Sequence, residues 1–145
     1  MKINILTLLC AIGFVHLLNA QTKVESIDLK GTTYTVTKNF PNEIIGLYNY
    51  EGIGAPIVKL DGNGFGLFQP HMVDPIKIEF WIDCDANGTI RKQEGVNGRY
   101  QYTLLIKYLD GNNGNYPIGD FDLMGVVVLP DLGYVSIYGE RLKQL

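Results

Sequence analysis

Four oxygen-bearing residues and a glycine between positions 83 and 94 stand at the spacing of a calcium loop. Asp83, Asp85 and Asn87 take its positions 1, 3 and 5, Gly88 its position 6 and Glu94 its position 12. Ile90 falls on the apolar position 8. A hard cation needs six or more oxygens, which such a loop supplies when a glycine turns it sharply and helices hold both ends. The flanks here are strand-like instead. Residues 76–83 and 99–109 both alternate with a period of two, as strands do. Between strands, Asn87-Gly88 reads as a two-residue type I′ turn, with Cys84 opposite Arg91 and Asp83 opposite Lys92. Glu94 then stands roughly 15 Å or more from Asp85, at about 3.3 Å per strand residue. The turn is the preferred reading, calcium on some of Asp83, Asp85, Asn87 and Glu94 is the alternative, and glycosylation of Asn87-Gly88-Thr89 is a third.

The nucleophiles are poorly provided for. Cys84 shares the apolar face of 76–84 with Ile76, Ile78, Phe80 and Ile82. Burial and the neighbouring Asp83 and Asp85 both disfavour a thiolate, so Cys84 reads as a structural thiol. His71 is the only histidine beyond residue 20, too few for a zinc site. Ser26 and Ser136 lie outside any nucleophile elbow. A carboxylate pair for glycoside chemistry leaves no local spacing and stays open as an alternative.

The richest pattern is aromatic. Tyr100, Tyr102 and Tyr108 share one face of 99–109 with Leu104 and Ile106, and Tyr48 and Tyr50 share one face of an earlier segment. Turned into a barrel, these faces make an apolar interior with phenolic tips, suited to a small amphipathic ligand. A filled core with hydroxyls at the rim is the competing expectation. Trp81 falls among the charged residues of the opposite face. There it could cover the leading segment 21–31, lie under the loop 70–75 or meet a partner.

The segments that carry these residues are short, β-branched or aromatic, and bounded by glycine, proline, Asn and Asp. Strands are expected at 32–37, 44–50, 56–60, 65–69, 76–83, 99–109, 121–129 and 133–139. Asp61-Gly62-Asn63-Gly64 is a strong hairpin signal. Residues 110–120 read as a loop too polar and glycine-rich to pack. About eight antiparallel strands in sequential hairpins make an all-β, up-and-down meander barrel, with a β-sandwich as the alternative.

Upstream, Lys2, the apolar run 3–18 and Asn19-Ala20 have the form of a secretory signal peptide. The expected organisation is signal peptide 1–20, polar arm 21–31 and one barrel domain 32–145, exported to the periplasm or outside the cell. No other stretch is long and apolar enough for a transmembrane segment. Beyond Lys2 the chain holds eleven basic and fifteen acidic residues without a charge block. A nucleic-acid partner would need a basic stripe. Only Cys84 remains after cleavage, so no internal disulfide can form.

Gly46-Leu47-Tyr48-Asn49, the glycines at 52 and 54, Ile57-Val58, Asp61-Gly62 and Gly66-Leu67-Phe68 together resemble the opening hairpins of calycin barrels, the lipocalin-type and avidin-type proteins. There a Gly-x-Trp starts the first strand, where this chain has Tyr48. The resemblance spans about a fifth of the chain and implies a ligand-binding barrel without a cofactor. The leading expectation is a secreted, non-catalytic barrel binding a small amphipathic molecule or surface component. The alternatives are a filled structural or interaction module, calcium-stabilised or not, and a hydrolase with a carboxylate site.

Overall fold

The computed structural model describes residues 23–50, 57–111 and 114–144. The expected signal peptide and the turn at Gly52 and Gly54 lie outside the described residues. Eleven antiparallel strands and one 3-10 turn, Asn42–Ile44, make up the described chain, which contains no α-helix. The strands are β1 Val24–Leu29, β2 Thr32–Thr37, β3 Gly46–Tyr50, β4 Ile57–Leu60, β5 Phe65–Phe68, β6 Ile76–Asp83, β7 Gln93–Glu94, β8 Tyr100–Tyr108, β9 Phe121–Leu129, β10 Tyr134–Ile137 and β11 Glu140–Gln144.

Pairing runs β3-β4-β5-β6-β8-β9-β10-β11, and β11 returns to β3 through Leu142↔Tyr50 and Gln144↔Tyr48. The ring of eight is thus an antiparallel meander closed on itself, which leaves its strands no bare edge. All eight expected segments are strands, but one is not in the ring. β2 pairs with β1 and touches β6 only through Val36↔Asp83 and Thr37↔Ile82. Its place is taken by β11, which the sequence reading had not assigned.

The expected arm 21–31 is also corrected: from Val24 it is strand β1, in register with β2 across the turn Lys30-Gly31. Both turn residues have positive φ, 51° and 82°, as a type I′ turn demands. The hairpin exists because its apolar residues have a surface to cover. Trp81, Val36 and Leu105 form a second buried cluster outside the ring, packed with Ile27, Tyr34, Phe121 and Leu123. Trp81, 6% exposed, is the floor on which the hairpin lies. For the same reason β9 is apolar on both faces: one meets the core, the other this cluster.

Inside the ring, alternation works as expected. Ile78, Phe80 and Ile82 of β6, Leu104 and Ile106 of β8, and Met124 and Val126 of β9 are fully buried in one core cluster. One end of the barrel is stoppered. The chain from Phe40 to Ile45 crosses it, with Ile44 fully buried and Phe40 stacked 4.6 Å from Phe80. Burying a side chain of that size contributes roughly 1.5–3 kcal/mol.

Candidate functional site

The calcium-like letters fold as a hairpin, one residue out of the expected register. Cys84 pairs with Ile90 rather than Arg91, and Asp83 bonds Arg91 at 2.7 Å rather than Lys92. The reason is Asp85. Its Oδ1 accepts the amides of Asn87 and Thr89 at 2.8 and 2.9 Å, which tightens 85–88 into a turn closed by Gly88 N–H to Asp85 O at 3.0 Å. Gly88 takes φ +82° while Asn87 does not enter the left-handed region. That is a three-residue loop with a glycine bulge, not type I′. The two amides hold the Asp85 carboxyl below the usual carboxylate range. Glu94 pairs with Lys92 at 3.0 Å. Among the described residues no three His, Cys, Asp or Glu side chains converge as a metal site would require.

Cys84 is fully buried. Burial first, then the charge of Asp83, pushes its thiol up, with Arg91 opposing and Asp85 adding to the rise. Ser26 lies in β1 and Ser136 in β10.

The tyrosines divide between the two ends of the barrel. Eight steps of about 3.3 Å separate Tyr100 from Tyr108 along β8, so one face of one strand reaches both ends. At the stoppered end, Tyr102 donates to Glu43 Oε1 at 2.7 Å and Tyr48 to Glu43 O at 3.5 Å. Tyr100 packs edge-on against Tyr102 at 5.6 Å, with Lys92 Nζ 4.2 Å above its ring. Burial pushes Tyr48 up to about 12. Tyr102 is raised by burial and by its bond to Glu43. These three serve the core and its plug. Tyr50 lies in β3, its side chain outside the described part.

Tyr108 belongs to the other end, which is open. A concavity of about 270 Å3 there is lined by Val58, Phe68, Pro70, His71, Tyr108, Tyr116, Asp122, Ile137, Tyr138 and Glu140. Four rings build its wall. Phe68 lies 6.0 Å from Tyr116 and 5.3 Å from Tyr138, and Tyr108 lies 5.3 Å from Tyr116. Tyr116 comes from the segment expected not to pack. Gly111 allows it, because a Cβ there would sit 1.8 Å from Tyr116 O, and Gly119 N–H closes the loop on Tyr108 O at 2.8 Å. Tyr138 comes from the two-residue turn between β10 and β11, at φ +52°. A bulky residue is strained there, and such outliers gather at functional sites.

Facing the rings are two carboxylates. Asp122 follows the inward alternation of β9; its Oδ2 accepts from Tyr108 OH at 3.2 Å and its Oδ1 from the Leu123 amide at 2.8 Å. Glu140 stands 3.5 Å from His71 Nε2. Burial, with Tyr138 and Asp122 nearby, raises Tyr108; burial, with Asp122 nearby, raises Tyr138, against a hydrogen bond from Tyr108. Both therefore remain phenols at neutral pH, able to donate and accept but poor bases. No lysine or arginine is among the described lining residues. Of the tyrosines singled out by alternation, only Tyr108 reaches this mouth. Tyr116 and Tyr138 sit in a loop and a turn, where strand periodicity carries no information.

No protein-family model matches the chain, and no solved structure matches it. Over 65 residues the sequence is 37% identical to Probable rhamnogalacturonate lyase B of Aspergillus terreus (strain NIH 2624 / FGSC A1156). That stretch is 45% of this chain and 9% of the relative's length.

Proposed function

We propose that the chain is a secreted, non-catalytic, calycin-like β-barrel whose open mouth binds a small amphipathic ligand, a neutral polyhydroxylated ring. The carrying observation is the mouth itself: Phe68, Tyr108, Tyr116 and Tyr138 opposite Asp122 and Glu140. Aromatic faces pack against the C–H face of such a ring, and carboxylates accept from its hydroxyls. The volume of about 270 Å3 suits one ring, just below the roughly 300–1,000 Å3 usual for drug-sized ligands. The closed meander supports the calycin-like part of the reading, and the leader-like residues 1–20 support export.

The partial match to a protein whose name concerns a saccharide polymer supports a saccharide class. The mouth's charge selects within that class. A uronate would bring its carboxylate against Asp122 and Glu140 with only His71 to offset it, so neutral rings are preferred over uronates. The same charge argues against an elimination next to a uronate carboxylate, which needs positive charge to stabilise the developing anion.

A glycosidase reading is favoured by one observation, that Asp122 and Glu140 line the same concavity. Against it, both Asp122 oxygens are already engaged by Tyr108 and Leu123. Calorimetric titration with neutral monosaccharides and with the matching uronic acids tests the proposal. Neutral sugars should bind at least tenfold more tightly, without release of new reducing ends from oligomers. Preference for the uronic acid, or turnover lost in Asp122→Asn, would overturn it.

A further inference from the structure

We infer that the mouth's ligand is an oligomer, and that a second concavity beside the mouth holds its next unit; this rests on the binding reading above. The second concavity, of about 280 Å3, is lined by Asp74, Pro75, Ile76, Asp110, Gly111 and Ile118. The same two loops build both hollows. The loop after β5 gives Pro70 and His71 to the mouth and Asp74 and Pro75 to its neighbour. The loop after β8 gives Tyr116 to the mouth and Asp110, Gly111 and Ile118 to its neighbour. Where Gly111 presses against the Tyr116 carbonyl, the second loop forms the partition between them.

The chemistry repeats as well. Each hollow sets an apolar wall against two carboxylates, Asp122 and Glu140 in one, Asp74 and Asp110 in the other, with no lysine or arginine among the described lining residues. Asp110 is fixed in position by the Lys77 amide and by Lys77 Nζ at 3.2 Å. Two adjacent sites of one character suit a ligand made of like units. The rim is shaped for contact beyond the first unit. Ile118 is 66% exposed, and Met72 projects fully into solvent from a backbone at φ +60°. Apolar side chains left in water on both loops have nothing in this chain to cover.

The test is calorimetric titration of the full chain with glucose, galactose and rhamnose and with their homo-di- and trisaccharides. In the series that binds, affinity should rise at least tenfold from one unit to two, and Ile118→Ala should remove that gain. The melting temperature of Ile118→Ala should match the parent, since Ile118 lies largely outside the packed core. Equal affinity for one and two units, or a gain that survives Ile118→Ala, overturns the inference and leaves the mouth reading standing. No binding by any sugar of the panel overturns the mouth reading and this inference with it.

Discussion

Tyr138→Asn separates a residue kept for binding from one kept for stability. Tyr138 sits at φ +52°, a region costing an ordinary side chain roughly 1–2 kcal/mol and visited readily by Asn. It is 46% exposed and packs its ring 5.3 Å from Phe68. Full burial of a large apolar side chain contributes roughly 1.5–3 kcal/mol, so half-burial contributes about 1–1.5 kcal/mol. Relief of strain and loss of packing nearly cancel. Tyr138→Asn should change unfolding free energy by no more than about 1 kcal/mol, a few degrees in melting temperature for a domain of this size. Saccharide affinity, which uses the ring face directly, should fall at least tenfold. Urea unfolding with an unchanged slope and calorimetric titration read the two effects separately. A loss above about 3 kcal/mol, or binding that survives, would refute the reasoning by making Tyr138 a structural residue.

Three further outcomes follow from the described contacts. Trp81 Nε1 is buried without a hydrogen-bond partner of acceptable distance and angle, though the indole contributes slightly to the lowered Glu25 carboxyl. Trp81→Phe should therefore stay within about 1 kcal/mol of the parent in urea unfolding, while Trp81→Ala should cost roughly 3–5 kcal/mol. Ile44→Ala, in the plug, should cost roughly 2–5 kcal/mol by the same assay. The Asp85 carboxyl is lowered in the fold by the Thr89 and Asn87 amides, so its contribution is present above the unfolded value near 3.8 and is lost as pH falls through the lower folded one. Asp85→Asn should melt below the parent at pH 7, the gap closing toward pH 2, and excess calcium should shift neither melting curve.

What the sequence reveals is the part governed by alternation. β6 and β8 show their buried faces because each second residue is apolar, and their pairing follows from the turn between them. β1 and β11 are harder to read because their turns, Lys30-Gly31 and Tyr138-Gly139, carry Lys and Tyr where Asn or Asp is the usual signal. The register error at Asn87-Gly88 has a related cause. Asp85 captures two amides through its side chain, and that local competition pulls the glycine into a bulge. Trp81 looks misplaced among charges until β1 and β2 are laid over it. The mouth is hidden for a different reason, because two of its tyrosines come from a loop and a turn and are joined to Tyr108 only by closure of the barrel.

The most direct test of the account is a nuclear magnetic resonance titration following tyrosine ring signals as a neutral saccharide is added. The rings of Tyr108, Tyr116 and Tyr138 should shift together and saturate with one affinity, while those of Tyr48, Tyr100 and Tyr102 stay in place. Shifts confined to Tyr48, Tyr100 and Tyr102 at the stoppered end, or none at any tyrosine, would contradict it.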